Sequence, residues 1–270
     1  CVCLSRRKAT KGNEAYMRTR RTWGWFIAAL SVALVAAAGF APRAAWATDG
    51  NVARIGDQEY ATVQGAIDSV KSDESATIEL LANVSGEGQM RFVEPQVDIT
   101  VDLAGFTYTA SADEAVHIDA ADVTLTLKNG TITNNAEGDY SDGLYAFEKS
   151  NNLNLTLDGV TLSSRTQTLA VQGLTSNSNV TIRNMLSSAE ELGIYYPPKS
   201  GALTIEGSTI TGTTGIVLKG SALVVKGDTT IHGTGENKVP DDYYTGTIGG
   251  DGFNDTGDAV YVESGYNDRA

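Results

Sequence analysis

A short pattern recurs along the chain: an apolar residue, then usually a threonine, then a second apolar residue. Gly or Asn follows two positions after the second apolar residue. Its copies are Val101-Asp102-Leu103, Leu125-Thr126-Leu127, Leu155-Thr156-Leu157, Val180-Thr181-Ile182, Leu203-Thr204-Ile205 and Leu223-Val224-Val225. The last apolar residues lie 24, 30, 25, 23 and 20 positions apart. A unit of this size cannot bury its own apolar face and is stable only when stacked on its neighbours, so the repeat predicts a solenoid.

A second pattern lies between the copies of the first. Its outer residues are mostly apolar and its middle residue varies, which fits a strand whose alternate side chains point inward and outward. Its copies are Val116-His117-Ile118, Leu144-Tyr145-Ala146, Leu169-Ala170-Val171, Ile194-Tyr195-Tyr196, Ile216-Val217-Leu218 and Val260-Tyr261-Val262. The steps are 28, 25, 25, 22 and 44 residues, and the last predicts either two turns or one turn with a long insertion.

A third short run follows the turns, at Thr131-Ile132, Thr161-Leu162, Leu186, Thr209-Ile210 and Thr230-Ile231. Three short strands per repeat, joined by turns instead of helices, predict an all-β fold, the right-handed parallel β-helix. Successive coils of that fold pair in parallel about 4.8 Å apart. Gly and Asn are expected at the corners because they tolerate positive φ.

The first 47 residues have the order of a secretory signal peptide. Met17 is the predicted start, and basic residues, an apolar run from Trp23 to Phe40 and the small-residue signal Ala45-Trp46-Ala47 follow it. Cleavage is predicted after Ala47, which implies a secreted or cell-surface protein. An uncleaved membrane anchor is the alternative, because the apolar run is close to spanning length.

Removal of this leader leaves an acidic chain without cysteine. Eight of the 20 Lys and Arg residues and one of the 33 Asp and Glu residues lie in residues 1–47, so residues 48–270 carry 12 basic and 32 acidic side chains, a net charge of −20. Nucleic-acid binding is not expected, because phosphate contacts need clusters of Lys and Arg. Both cysteines leave with the leader, so no disulfide is expected. Residues 48–270 are predicted to form a single domain.

A short amphipathic helix is predicted between Thr62 and Lys71. Val63, Ile67 and Val70 fall on one face, and Thr62 can cap the start. An open solenoid exposes its first apolar layer and unpaired strand edges, and a helix across that end covers both. We therefore expect an N-terminal capping helix.

This segment resembles a known family. Tyr60-Ala61-Thr62-Val63-Gln64-Gly65-Ala66-Ile67-Asp68, followed by Ala76-Thr77-Ile78-Glu79-Leu80, is similar to the N-terminal cap of pectate-lyase-like β-helix proteins, in particular repeat domains of large surface proteins of Gram-positive bacteria. The resemblance extends from Val52 to Val262. It implies the fold but no activity, because the shared residues are core and turn residues.

The C-terminal end shows no comparable cap after Val262. Natural proteins rarely leave sheet edges bare, so the native protein is expected to continue beyond Ala270. Contact with a membrane is expected only through the leader or through a C-terminal anchor beyond this segment.

Catalysis on this fold would need clustered carboxylates, with an Arg or Lys base for a lyase or an acid and a base for a hydrolase. The outward positions of the two patterns hold mainly Thr and Tyr, and the arginines do not align with acidic partners at the coil period. We therefore predict no catalytic residues. A polysaccharide lyase or glycoside hydrolase of the pectate-lyase-like fold stays the alternative.

The second pattern instead offers outward aromatic residues. Tyr145, Tyr195 and Tyr261, together with His117, are predicted to lie on one exterior face, where flat rings with polar tips suit sugar rings. The sequence therefore predicts adhesion, through binding to a polysaccharide or an extracellular-matrix glycan, without catalysis. Outward tyrosines that simply cover the sheet are the alternative, because aromatic residues are favoured on strands.

A polar segment, Gly233 to Gly257, interrupts the repeat. It contains Tyr243 and Tyr244 as further candidate ligand-binding residues. Asp251, Asp255 and Asp258 are a candidate Ca²⁺ site, because hard cations take several carboxylate and carbonyl oxygens from a flexible turn. A solvated loop without a metal ion is the alternative, and no other cofactor is predicted.

Overall fold

The computed structural model describes residues 50–138, 140–172, 175–236 and 256–263. Within these ranges the chain forms 21 β-strands and one α-helix. It opens with β1 (Ala53–Ile55), β2 (Gln58–Tyr60) and α1 (Val63–Ser69). β1 pairs antiparallel with β2 and with the first strand of the solenoid.

The remaining strands stack in parallel on three faces. The first face carries the first sequence pattern and contains β3 (Ser75–Leu80), β6 (Asp98–Asp102), the first halves of β9 (Thr124–Asn134) and β11 (Asn154–Ser164), β13 (Ser178–Arg183), β16 (Gly201–Glu206) and β19 (Ala222–Lys226). The third face contains β4 (Val84–Ser85), β7 (Thr107–Ala110), the second halves of β9 and β11, β14 (Leu186–Ala189), β17 (Thr209–Gly212) and β20 (Thr230–Gly233).

The second face is a separate seven-stranded sheet. It contains β5 (Met90–Phe92), β8 (Glu114–Ile118), β10 (Asp142–Ala146), β12 (Gln167–Val171), β15 (Leu192–Tyr196), β18 (Thr214–Lys219) and β21 (Val260–Glu263). The predicted all-β parallel solenoid is confirmed. Its right-handed sense stays a prediction.

The register of the second pattern is confirmed at every copy, since Val116 aligns through the five intervening pairings with Val260. β18 pairs directly with β21, in the register Ile216 to Val260. The 44-residue step is therefore one turn that carries a long insertion, and not two turns.

The predicted alignment of the first copy of the first pattern is wrong by two residues. Val101, and not Leu103, pairs with Leu127. The cause is a longer corner after β6, where both Ala104 and Gly105 have positive φ (52° and 87°). The next corner turns at Asn129 alone (φ 58°).

The core consists of inward columns in which equivalent residues of successive coils lie on one another. On the first face these residues are each at most 1% exposed: Val101, Leu127, Leu157, Ile182 and Ile205. Gly159, Asn184 and Gly207 form the corners two residues after Leu157, Ile182 and Ile205. Their φ angles lie between 50° and 63°. The prediction of Gly and Asn at left-handed corners is confirmed.

Polar side chains link the layers at the corner before the first face. Asn152 Nδ2 donates to Asp122 Oδ1 (2.7 Å), and Asn177 Nδ2 donates to Asn152 Oδ1 (2.9 Å). Ser200 Oγ donates to Asn177 Oδ1 (3.2 Å). This corner ladder joins side chains from neighbouring coils, so it fixes the stacking register from outside the core.

The helix α1 lies at the N-terminal end. Thr62 Oγ1 accepts a hydrogen bond from Gly65 N (3.0 Å), as predicted for an N-cap, and Val63, Ala66 and Ile67 are buried in the core. The Gln64 side chain accepts from Arg91 N (2.7 Å) and donates to Arg91 O (3.1 Å), so it pairs with β5 in place of a further strand. The wider role of α1 as an end cap stays a prediction.

The predicted leader, with its start at Met17 and its cleavage after Ala47, lies outside the described residues. No helix in the described ranges has the length and apolar character needed to cross a membrane. Residues 48–270 are the chain that remains after the predicted cleavage, and the tests below use this segment.

Leu157→Ala is expected to lower the free energy of unfolding of residues 48–270 by about 2–5 kcal/mol, because it leaves a cavity in a core position that is 1% exposed. Leu186→Ala is the matched control, since Leu186 points outward and is 42% exposed, and it is expected to change stability by no more than about 0.5 kcal/mol. Urea denaturation measures both values. Equal losses at the two positions would contradict the assignment of inward and outward columns.

Candidate functional site

The outward positions of the second face form one ladder across the sheet. Strand pairing aligns in succession His117, Tyr145, Ala170, Tyr195, Val217 and Tyr261. The structure therefore brings the three predicted tyrosines and His117 onto one face, each separated by one or two layers. Their accessibility differs along the ladder.

The middle of this ladder is buried although it points outward. Ala170, Tyr195 and Val217 are 0%, 2% and 0% exposed and form a small apolar cluster with Leu192. The Lys219 ammonium lies 5.4 Å from the centroid of the Tyr195 ring, which is within the range of a cation–π interaction. Tyr195 is therefore closed to a ligand in this structure.

Towards the N-terminal end the face carries an accessible aromatic stack. The Phe147 ring contacts those of both His117 and Tyr145, with centroid distances of 4.5 Å to each and tilts of 33° and 41°. The Tyr145 hydroxyl donates to Gln172 Oε1 (2.7 Å), and Phe147 N donates to Ile118 O (2.8 Å). The backbone bond and the Tyr145 bond hold this stack in place.

Two carboxylates begin the strands that carry the stack. Glu114 begins β8 and Asp142 begins β10, and strand pairing sets the two residues directly opposite each other. Glu114 Oε2 lies 3.4 Å from His117 Nδ1, and these two side chains are 15% and 16% exposed. We call the set Asp142, Glu114, His117, Phe147, Tyr145 and Gln172 the outer strip.

The carboxyl group of Asp142 is 2% exposed. Its Oδ1 accepts hydrogen bonds from the Thr166 hydroxyl and from Gln167 N (3.2 Å). Burial raises the pKa of Asp142 to about 6, the two hydrogen bonds oppose this rise, and the nearby Glu114 and Glu191 carboxylates add to it. The pKa of the Asp142 carboxyl therefore lies well above that of an exposed aspartate.

Three polar side-chain atoms in the segment before and at the start of β12 lack hydrogen-bond partners. Ser164 Oγ, Arg165 Nε and Gln167 Oε1 are buried and have no hydrogen-bond partner in the described part of the chain. The Arg165 guanidinium also donates to Gly138 O through Nη2. Buried polar atoms without partners cost free energy, so this corner is a locally destabilised part of the described chain.

Sequence analysis identified His117 and Tyr145 but missed Glu114, Asp142 and Phe147. Glu114 and Asp142 precede two copies of the second pattern by two residues, and Phe147 follows one copy by one residue. Extending the aligned pattern by two residues upstream would have set Glu114 opposite Asp142. The ring stack depends on side-chain directions at the strand end, and the alignment does not contain them.

The other candidate residues lie on or near the long insertion. Tyr243, Tyr244, Asp251 and Asp255 are outside the described residues. Asp258 is half-buried, and its carbonyl oxygen accepts from Gly215 N (2.9 Å). Among the residues with described positions, no three His, Cys, Asp or Glu side chains are grouped to hold a metal ion. The Ca²⁺ site stays a prediction.

No protein-family model, no curated protein and no solved structure matches this chain. The fold and the outer strip therefore rest on the structure of the chain itself.

The titration of Asp142 predicts a pH dependence of stability. Its pKa is about 6 in the folded chain and about 3.9 in an unfolded one, so between these values the folded chain holds a proton that the unfolded chain has lost. The free energy of unfolding is therefore expected to fall as the pH rises from about 4 to about 6, by on the order of 2 kcal/mol.

Asp142→Asn is expected to remove this contribution, because an amide does not titrate. Urea denaturation of residues 48–270 between pH 4 and pH 7 measures the effect. Glu206→Gln is the control, since the Glu206 side chain is 52% exposed on another face. Parallel stability curves for the native chain and for Asp142→Asn would contradict the assigned titration.

Proposed function

We propose that this chain is a secreted or cell-surface β-helix module that binds glycans through the outer strip, without catalysis, as in adhesion to a polysaccharide or a matrix glycan. The observation that carries the proposal is the aromatic stack next to the Glu114 carboxylate on an outer sheet face. The signal-peptide pattern supports export. The resemblance to right-handed, pectate-lyase-like repeat domains of Gram-positive surface proteins is part of the same proposal.

The chemistry of the outer strip suits a sugar ring. The apolar face of a pyranose packs on flat aromatic rings, as Tyr145 and Phe147 offer. The ring hydroxyls can donate to the Glu114 carboxylate, which lies 3.4 Å from His117. The stack and this carboxylate lie on one face, so one sugar unit can contact both kinds of group.

The charge of the site favours neutral glycans over acidic ones. Glu114, Asp142 and Glu191 lie near one another, since both Glu114 and Glu191 influence the titration of Asp142. Residues 48–270 carry a net charge of −20. Like charges placed together across an interface are unfavourable, so a polymer of uronic acids fits this face poorly.

The burial of Asp142 supports binding without turnover. A general acid must come within hydrogen-bond reach of the glycosidic oxygen, but the Asp142 carboxyl is 2% exposed and bonded to Thr166 and Gln167. One observation favours a glycoside hydrolase as the second candidate. It is a carboxyl with a pKa of about 6 opposite a second carboxylate, which is the arrangement that such enzymes use.

Tyr145→Ala is expected to weaken glycan binding by roughly tenfold, about 1.4 kcal/mol, because the stacked ring is lost. Tyr145→Phe keeps the ring and removes only the hydroxyl, so it is expected to retain most of the affinity. Titration calorimetry on neutral β-glucan and mannan oligosaccharides and on polygalacturonate measures the affinities. Thr156→Ala on the first face is the control. Equal binding by Tyr145→Ala and the native chain would exclude this site.

The same oligosaccharides separate binding from catalysis. Incubation with residues 48–270 is expected to release neither reducing ends nor unsaturated ends. If reducing ends accumulate and Asp142→Asn or Glu114→Gln abolishes them, the hydrolase is correct and the binding module is wrong.

A further inference from the structure

The third face carries two adjacent outward columns that consist almost entirely of hydroxyl residues. Strand pairing keeps both columns in register through five successive layers of the solenoid. One column contains Thr107, Thr131, Thr161, Leu186 and Thr209, and the other contains Thr109, Thr133, Ser163, Ser188 and Thr211. Nine of these ten residues are Thr or Ser, and we call the two columns the hydroxyl array.

Burial shows that the hydroxyl array faces outward. The residues between its two columns include Tyr108, Ile132, Leu162 and Ile210, which are each at most 1% exposed. All ten members of the array are half-buried or exposed. Ser163 Oγ donates to Thr133 Oγ1 (3.1 Å), so hydroxyl groups of neighbouring layers lie within hydrogen-bond distance of each other. The array is therefore an ordered, accessible surface of stacked hydroxyl groups.

The array is uncharged, although the segment that carries it is strongly charged. Residues 48–270 contain 12 basic and 32 acidic side chains, but β7, β14, β17 and residues 131–134 and 161–164 contain none. On the first face, in contrast, the threonine column adjoins a column with Lys128, Asp158 and Arg183. The preference of β-branched residues for strands explains threonine on both faces, but it does not explain why only one face lacks charge.

The chemistry of the array defines its partner. Its members include no Lys or Arg to bind an anion, and no Asp or Glu to bind a cation. They also include no Tyr or Trp, the rings on which sugars stack and which anchor most protein interfaces. Each hydroxyl group can donate one hydrogen bond and accept two. A fitting partner is therefore neutral, donates and accepts hydrogen bonds, and repeats with the spacing of the array.

The spacing of the array points to one such partner. Successive layers lie about 4.8 Å apart, and alternate residues along a strand lie roughly 6.6 Å apart. The prism planes of hexagonal ice present water oxygen atoms in a rectangular pattern with repeats close to these two spacings. We propose that the hydroxyl array binds the surface of ice crystals. The ice lattice is neutral and matches the one uncharged set of outward columns described above.

The array is well ordered before it meets the crystal. The threonine side chain is branched at Cβ and has few χ1 rotamers, and the parallel strands hold each layer over the next. Binding therefore requires little further ordering of the protein. Leu186 is the one member without a hydroxyl group, and it interrupts the first column. This inference is independent of glycan binding, because the outer strip lies on the second face.

Freezing experiments on residues 48–270 test the proposal. In a nanolitre osmometer the native segment is expected to lower the freezing point below the melting point and to give faceted ice crystals. Thr161→Lys is expected to lose most of this effect, because a charge in the middle of the array must be desolvated against ice. Thr156→Lys is the matched control, since it makes the same change in the same strand on the first face, and it is expected to keep the effect.

Leu186→Thr tests the proposal by a gain of activity. The substitution completes the first column, so the gap between melting and freezing points is expected to widen at equal protein concentration. Misfolding cannot produce such a gain. Circular dichroism near 0 °C establishes that each variant is folded.

Three results would overturn the proposal. The first is a native segment whose solution freezes and melts at the same temperature. The second is an equal loss of activity in folded Thr161→Lys and Thr156→Lys. The third is a folded Leu186→Thr variant with less activity than the native segment. Glycan binding by Thr161→Lys is measured separately and is expected to be unchanged, so failure of one proposal leaves the other standing.

Discussion

Parallel hydrogen bonding between successive coils is the constraint on which the rest of this structure depends. It sets each residue directly over its equivalent in the previous layer, so every column must tolerate like upon like. Apolar inward columns meet this demand through close packing. Threonine tolerates the same stacking on the outside of the first face, because a β-branched side chain suits a strand. This outward column contains Thr77, Thr100, Thr126, Thr156, Thr181 and Thr204.

A charged column is unfavourable when it repeats one sign over many layers, and one column of this chain mostly alternates in sign. The outward column at the end of the first-face strands reads Glu79, Asp102, Lys128, Asp158, Arg183, Glu206 and Lys226. Lys128 pairs with Asp102 (3.2 Å), and Arg54 pairs with Glu79 (2.7 Å). Exposed pairs of this kind each contribute little stability. Their effect is that no long run of repulsion opposes the stacking register.

Local patterns in the sequence predict those parts of the fold that depend on alternation alone. The two-residue period of Leu144-Tyr145-Ala146 and its equivalents places each strand and its register correctly. Alternation does not contain the length of a corner, so two left-handed residues at Ala104 and Gly105 shifted one alignment. It also does not show what covers an outward side chain. The pattern therefore predicts an exposed Tyr195, although this residue is buried in the structure. Glu114 and Asp142 lie opposite each other only because their two strands pair.

The long insertion between β20 and β21 has a consequence for how such a chain can change. β21 resumes the register of β18 after a 44-residue step, although the preceding steps are 22–28 residues. Doubling the length of a loop adds only about 0.6 kcal/mol of closure entropy. The corners of the solenoid are thus nearly neutral to added length, and new sequence can enter there without moving a strand. Selection can therefore alter the loops independently of the stacked faces, so new recognition surfaces can arise on an unchanged scaffold.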